Sequence, residues 1–213
     1  MNSRLERIFS VLTECNVFAD IGCDHGYMAK AMLDSGKCKR VIISDVSEKC
    51  LKKAQDLLAD YAKSGRVTSV VSDGFEKVGP CDLALIAGMG GEEIISIIEK
   101  AKSLPERLVV QPMKNTDRVR VAVIKAGYAV EKDFTFICQG KYYDLISLKK
   151  GKDSLTREEI EFGRTNINEP TEDFKKIISD KISKLREYLE SDTMSDKTKQ
   201  DMISEIEKLS KYV

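Results

Sequence analysis

Short apolar runs alternate with amphipathic stretches along the first 125 residues of the chain. Short apolar runs predict strands, whereas apolar residues three or four apart predict helices. On this basis we predict strands over 17–21, 41–45, 67–74, 82–87 and 108–110, and helices over 28–33, 48–61, 92–100 and 116–125. This alternation favours an α/β fold, with five βα units that form a parallel sheet through right-handed crossovers.

The pattern changes after residue 128. Residues 129–138 and 142–148, joined by Gln139 and Gly140, predict a hairpin that adds an antiparallel strand at one end of the sheet. The polar segment 151–154 then marks a boundary. We therefore divide the chain into a domain over 1–150 and a helical C-terminal domain over 151–213.

Two apolar series in the C-terminal domain follow a 4-3-4 spacing. Such spacing predicts two amphipathic helices that pair as an antiparallel, coiled-coil-like hairpin. The polar segment 191–196 is the predicted turn between them. The two series are Ile178, Ile182, Leu185 and Leu189, then Met202, Ile206, Leu209 and Val213.

The segment after the first strand carries two glycines four residues apart, Gly22 and Gly26, behind the acidic Asp20. Glycine accepts positive φ and lets a ligand approach the backbone closely. A dinucleotide-binding loop would need glycine where Asp24 and Tyr27 stand, and a carboxylate there repels a diphosphate. The loop favours a cofactor that carries positive charge, such as S-adenosylmethionine. The alternative is an ordinary strand-to-helix turn.

The second and third strands also end in acidic residues. Asp45 lies 25 residues after Asp20, where a carboxylate accepts hydrogen bonds from the ribose hydroxyls of a nucleotide. Alternatively, Asp45 caps the helix that follows. Asp73 is suited to accept from an adenine amino group, while Gly74 leaves room for the ring.

The fourth and fifth strands end differently. Three glycines among the four residues 88–91 predict an unusual backbone that a flat substrate could approach, or else a tight turn. The fifth strand ends at the segment 111–115. Ligands of open α/β sheets bind beyond the carboxyl ends of the strands, so all five ends should line one crevice.

Composition is typical of a soluble enzyme. The 213 residues carry zero formal net charge, so the overall charge does not indicate a nucleic acid or a membrane as binding partner. No run is long enough to span a membrane and no signal peptide is recognisable, so we expect a cytoplasmic protein. The six cysteines form no C-x-x-C pair and His25 is the only histidine, so we expect no metal.

These motifs resemble class I S-adenosylmethionine-dependent methyltransferases. The segments 20–27, 87–91 and 111–113 are similar to the bacterial tRNA (adenine-N1)-methyltransferase family TrmK, which acts on adenine 22 of tRNA. The resemblance covers residues 1–150, and the helical tail also fits. It implies a Rossmann-like seven-stranded sheet, S-adenosylmethionine as cofactor with S-adenosylhomocysteine as product, and tRNA as partner. We expect no obligate protein partner, and a monomer or weak homodimer.

The resemblance also implies site residues. Those for the cofactor are Asp20, Gly22, Gly26, Asp45, Val46, Asp73, Gly74, Ala87, Gly88 and Met89. Those for the substrate are Gly90, Gly91, Gln111, Pro112, Met113, Lys114, Asn115 and Arg118.

The fourth strand end offers no side-chain acceptor of the kind used by enzymes that methylate exocyclic amines. Adenine N1 already has an in-plane lone pair, so catalysis needs mainly positioning and stabilisation of the positive charge that develops. Asp24 is the candidate for that stabilisation, with Tyr27 and His25 as base contacts. Alternatively, Asp24 holds the methionine ammonium group, Tyr27 packs in the first helix, and His25 satisfies a loop carbonyl.

Local basic clusters are candidate RNA contacts or ordinary solvated surface. They are Arg4 with Arg7, then Lys37, Lys39 and Arg40, then Lys114, Arg118 and Arg120. The C-terminal hairpin either clamps tRNA, through lysines such as Lys181 and Lys184, or stabilises the fold or a dimer. Two other functions stay open at this point: methylation of a small metabolite, and RNA binding without catalysis.

Overall fold

The computed structural model describes residues 3–190 and 194–213, and its centre is one seven-stranded sheet. The strands are β1 (Cys15–Ile21), β2 (Cys38–Asp45), β3 (Val67–Val71), β4 (Leu83–Met89), β5 (Arg107–Pro112), β6 (Tyr128–Cys138) and β7 (Lys141–Lys150). Their order across the sheet is β3-β2-β1-β4-β5-β7-β6. The first five run parallel, and β7 is antiparallel to both β5 and β6. The predicted parallel sheet with a terminal hairpin is confirmed.

Helices cover both faces of the sheet. They are α1 (Ser3–Val11), α2 (Tyr27–Asp34), α3 (Glu48–Leu57), α4 (Ala59–Lys63), α5 (Gly91–Lys100) and α6 (Thr116–Lys125). Neighbouring strand residues face opposite sides, so Phe18 packs with α1, α2 and α3, whereas Ala19 packs with α5 and α6. Both faces are therefore buried, as parallel sheets require. Within the described ranges, no helix is long and apolar enough to cross a membrane.

Two details of the predicted α/β pattern are wrong. The helix predicted over 48–61 is interrupted at Leu58, whose backbone leaves the helical region (φ −102°, ψ 12°) while its side chain is fully buried. The segment between β3 and β4 contains turns rather than a helix, so β3 starts no βα unit. Its two glycines and Pro80 explain this, because they are unfavourable in a helix interior.

The tail folds into α7 (Arg157–Phe162), α8 (Arg164–Asn168), α9 (Glu172–Leu189) and α10 (Asp196–Ser210). As predicted, Ile178, Ile182 and Leu209 are buried between them. Val213 is 54% exposed, and Tyr212 is buried in its place, because α10 ends at Ser210 and the helical spacing no longer applies. Residues 191–193 of the predicted turn lie outside the described residues.

Side chains of the tail bind the edge strand β6. Its backbone N–H groups would otherwise be open to any other strand. Alternate residues instead donate to the tail: Asp133 N to Thr165 Oγ1 (2.8 Å), Thr135 N to Asn166 Oδ1 (3.0 Å) and Ile137 N to Asp173 Oδ2 (3.0 Å). The tail therefore supplies hydrogen-bond acceptors to this edge of the sheet.

A buried ion pair joins the sheet, α6 and the tail. Arg120 donates from Nε and Nη2 to the two carboxylate oxygens of Asp133, at 2.7 and 2.9 Å, and both residues are at most 1% exposed. Its Nη1 donates to the carbonyls of Ile160 and Glu161 in α7. The prediction that Arg120 belongs to a basic cluster on the surface is therefore wrong. Its side chain points from α6 into the interior, where it pairs with Asp133.

Candidate active site

The carboxyl ends of the central strands surround two adjoining cavities. The first, here the tip cavity, has a volume of about 380 Å³ and lies between the β1 loop, α1 and the end of β4. The second, the side cavity, has about 180 Å³ and lies between the ends of β1, β2 and β3 and the start of α5. Gly22 and Met89 line both cavities. The strand ends thus form one continuous crevice, with Met89 between its halves.

The loop after β1 turns sharply under the crevice. Gly22 and Asp24 have positive φ values of 70° and 43°. The amides of Gly22 and Cys23 both donate to the carbonyl of Ser44, at 2.8 and 3.0 Å, which fixes the loop against β2. Gly26 also has positive φ, but a Cβ there would lie 2.9 Å from Ala54 Cβ in α3. Gly26 therefore permits helix packing and lines neither cavity.

Asp45 joins the first two strand ends. Its carboxylate accepts from the amides of Ser47 (2.8 Å) and Asp24 (3.3 Å). The cap of α3 is Ser47, whose hydroxyl accepts from Cys50, so the alternative of Asp45 as the helix cap is wrong. Its neighbour Val46 is 68% exposed at the rim of the side cavity.

Asp73, which follows β3, lines the side cavity. Asp73 is half exposed and receives a hydrogen bond from Lys100 at 3.3 Å. Gly74 has a φ of 54°, and a Cβ there would lie 2.7 Å from Ile97 Cγ2 on α5. The glycine therefore lets the loop pass close to α5, and the carboxylate stays at the cavity wall.

Asp20 is the buried carboxylate of the tip cavity. It is 6% exposed and accepts a hydrogen bond from the amide of Ala29 at 3.3 Å. Burial, with a further contribution from the charge of Asp45, raises its pKa to about 7. Since desolvation disfavours the ionised form, a cation in the crevice would favour the charged carboxylate.

The three predicted catalytic residues lie together at the mouth of the tip cavity. His25 Nδ1 is 2.7 Å from the carboxylate of Asp24, and its ring stacks on Tyr27 with 5.5 Å between the centroids. Lys53 Nζ lies 3.4 Å from His25 Nε2 and 3.8 Å from the Asp24 carboxylate. Tyr27 is 53% exposed, so the alternative that it packs in the first helix is wrong, and the partner of His25 is a carboxylate rather than a carbonyl.

The glycines after β4 serve two different purposes. Ala87 and Gly88, together with Met89, line the tip cavity and offer no side-chain acceptor there. Gly91 is buried, and a Cβ on it would lie 2.5 Å from the carbonyl oxygen of Lys114. Gly91 thus permits the fourth and fifth strand ends to pack together, and Gly90 caps α5 beside Lys114.

The residues predicted to bind substrate at the end of β5 and directly after it line neither cavity. Gln111 is fully buried and donates to the carbonyl of Pro112 at 2.9 Å. Asn115 donates to Glu92, and Arg118 forms an ion pair with the same carboxylate. Met113 is 51% exposed at the surface. The structure therefore does not bring this group to the crevice.

Arg4 of α1 lies at the tip cavity instead. It donates to Gln111 Oε1 at 2.6 Å, lies over the ring of Tyr143 at 5.8 Å, and reaches 3.5 Å from where a Cβ of Gly88 would stand. Sequence reasoning placed Arg4 only in a general basic cluster. Its position depends on how α1 crosses the strand ends, which the local sequence does not reveal.

A family profile described as "Methyltransferase domain" matches residues 1–146 of the chain. The chain belongs to this methyltransferase family. Among its relatives, the tRNA (adenine(22)-N(1))-methyltransferase of Bacillus subtilis is 27% identical over 156 residues, which cover 71% of this chain and 66% of the relative. The resemblance to TrmK is thereby confirmed.

Solved structures share the fold of this methyltransferase. M. capricolum TrmK, in complex with S-adenosylhomocysteine, superposes with a TM-score of 0.84 at 21% identity, over 100% of this chain and 97% of that chain. The B. subtilis M1A22 tRNA methyltransferase TrmK gives 0.80 at 22% identity, over 100% and 98%. Both cover the tail as well as the sheet, so the likeness in fold extends to the C-terminal helices.

No group of three or more side chains within the described ranges could hold a metal ion. The buried Cys23 is also unsuited to nucleophilic chemistry, since burial and the nearby Asp20 raise the pKa of its thiol. Around its two cavities this methyltransferase offers acidic groups, backbone amides, the His25 and Tyr27 rings and the Arg4 guanidinium group.

Proposed function

We propose that this protein transfers the methyl group of S-adenosylmethionine to N1 of adenine 22 in tRNA. The observation that carries the proposal is the crevice itself, in which carboxylates stand at both ends and a glycine-lined backbone lies beside them. The name of the B. subtilis relative, a tRNA (adenine(22)-N(1))-methyltransferase, supports the same activity.

The residues of the crevice fit this cofactor. Asp45 and Asp73 in the side cavity present acceptors for ribose hydroxyls and an adenine amino group. Asp20 and Asp24 give the tip cavity negative character, which suits the ammonium and sulfonium groups. Gly22 lies between the two cavities, where its lack of a side chain leaves room for the methyl group of Met89. When bound, S-adenosylmethionine supplies an electrophilic methyl group, and the product is S-adenosylhomocysteine.

The tip cavity suits a ring nitrogen as methyl acceptor. Adenine N1 needs no base to remove a proton, and Ala87 and Gly88 place no acceptor at the fourth strand end. The adenine gains positive charge during the reaction, and the Asp24 carboxylate at the cavity mouth stabilises that charge. His25 holds Asp24 in place, and Tyr27 contacts the base. Ala87, Gly88, Met89 and Val46 serve as cavity walls.

The protein must meet adenine N1 unpaired, because this atom lies on the pairing edge. Arg4 provides a cation for a phosphate of the extruded nucleotide. We infer that the protein acts in the cytoplasm, as a monomer or weak homodimer, with the whole tRNA as partner.

The test uses the full chain, methyl-labelled S-adenosylmethionine and an unmodified tRNA transcript. We expect label in 1-methyladenosine at position 22, located by a block to reverse transcription. A transcript with guanine at position 22 serves as the control and should take up no label there. Absence of label from the adenine transcript, or equal labelling of position 22 in the guanine transcript, would contradict the proposal.

A further inference from the structure

A groove between α1 and α2 lies directly beside the tip cavity. Its volume of about 740 Å³ exceeds that of the tip cavity, so it has room for another planar group of nucleotide size. Leu5 and Tyr27 line both spaces. The groove is lined by Leu5, Phe9, Tyr27, Lys30, Ala31, Asp34 and Ser35.

Tyr27 separates the two spaces. Its ring is half exposed, and the His25 ring, inclined by only 6°, stacks with it. All four nucleobases can stack on exposed aromatic rings of this kind, because each of them has a flat π-face. Phe9 of α1 also lines the groove, and Lys37 Nζ lies 4.2 Å from its ring centroid.

Each of the two spaces has a cationic side chain in its wall. Arg4 lines the tip cavity and gives one of its several N–H donors to Gln111. Lys30 lines the groove and donates to Asp34 at 2.6 Å. An RNA strand that crosses from the tip cavity into the groove would pass its phosphate next to Arg4. An apolar protein segment would offer no acceptor to the remaining N–H donors of Arg4.

We infer that this groove binds the base of the nucleotide next to the target adenine, stacked on Tyr27. The inference rests on the proposed function. A base that leaves its helix to expose N1 also leaves its neighbour without one stacking partner, and Tyr27 replaces that partner. The groove thus makes recognition depend on two consecutive unpaired nucleotides rather than on one.

The first test changes only the RNA. Transcripts that carry an abasic residue on the 5′ or the 3′ side of the target are compared with the intact transcript. We expect one of the two to raise KM by about tenfold, because a base–aromatic stack is lost, while kcat changes little. Equal KM values for all three transcripts, with normal methylation of the target, would overturn the groove assignment and leave the proposed function intact.

The second test fills the groove. Ala31→Trp adds bulk to its floor, and Ser10→Trp on the exposed side of α1 is the matched control. We expect Ala31→Trp to raise KM for the intact transcript about tenfold and to abolish the difference between the abasic transcripts, with the Kd for S-adenosylmethionine unchanged. Wild-type KM in the folded Ala31→Trp variant would also overturn the assignment. If the wild-type protein labels no tRNA, the proposed function itself fails.

Discussion

The terminal methyl group of Met89 occupies the space in which a side chain on Gly22 would stand. A Cβ built on Gly22 would lie only 1.9 Å from Met89 Cε. These residues belong to different strand ends, and both line the tip and side cavities. Their contact therefore sets the width of the crevice between the two halves.

Gly22→Ala should weaken cofactor binding. The new methyl group displaces the Met89 side chain into the crevice, and the φ of 70° adds backbone strain of about 1 kcal/mol or more. We expect calorimetry to give at least a tenfold higher Kd for S-adenosylmethionine. Gly36→Ala is the control, because Gly36 has a φ of 73° but no atom within 4 Å of its Cβ position. An equal loss of affinity for S-adenosylmethionine in both variants would contradict the explanation that the displaced Met89 side chain blocks the crevice.

Asp45→Asn should also weaken cofactor binding, by about 1–3 kcal/mol, because an amide replaces a charged acceptor for the ribose hydroxyls. The amide oxygen can still accept from Ser47, whereas the longer hydrogen bond from Asp24 to the second carboxylate oxygen is lost. Asp56→Asn, which changes an exposed carboxylate paired with Lys52 on α3, is the control. Unchanged calorimetric affinity in a folded Asp45→Asn protein would disprove the assignment.

Asp20 should make stability depend on pH. Its pKa rises from 3.8 in an exposed carboxyl to about 7 in the folded protein, so the native state binds this proton more tightly. The free energy of unfolding contributed by this group should therefore fall as pH rises from about 4 to about 7, by roughly 2–4 kcal/mol. Urea unfolding of the wild type and Asp20→Asn at pH 5 and pH 8 measures this, and equal pH dependence in both would refute it.

Asp20 should also couple the binding of S-adenosylmethionine to the release of a proton. A bound cation favours the ionised Asp20, so affinity for S-adenosylmethionine should increase from pH 6 to pH 8, with release of a proton. Calorimetry in buffers of different ionisation enthalpy detects that release. Asp20→Asn should bind with no such increase, and persistence of the full pH dependence in this variant would assign it to another group.

Arg120→Met should cost about 3–5 kcal/mol of stability, because Asp133 is left buried and charged without its partner. The double variant Arg120→Met with Asp133→Leu should recover much of that loss. Arg118→Met on the same helix changes an exposed ion pair and should alter stability by less than about 0.5 kcal/mol. Urea unfolding compares all three. A loss in Arg120→Met as small as in Arg118→Met would contradict this account.

The strands and their acidic ends could be predicted from sequence because local signals determine them. The apolar run 17–21 forms a strand wherever it lies, and a carboxylate such as Asp45 that follows a parallel strand reaches the common edge. The helix break at Leu58 could not be predicted from the local sequence, because it accompanies the burial of the Leu58 side chain in the core. Tyr212 likewise replaces Val213 only because rings of Phe162 and Phe174 are nearby.

The residues of the candidate site also differ in how far the sequence could predict them. Asp24, His25 and Tyr27 are neighbours in sequence, so their proximity followed from one loop. Arg4 and Gln111 are 107 residues apart and meet only through the packing of α1 over the strand ends. The burial of Arg120 depends on a counter-charge in β6 and on carbonyls in the tail. Such contacts are determined by tertiary structure, which no spacing rule reveals.

The hydrogen bonds that Thr165, Asn166 and Asp173 accept from β6 have a consequence for self-association. Three tail side chains accept from alternate amides along β6, so a second molecule finds those donors already used on this edge. The tail thereby protects the β6 edge from the addition of a strand by another copy of the protein. The opposite edge of the sheet is β3, so pairing of two copies through their sheets would have to use that side.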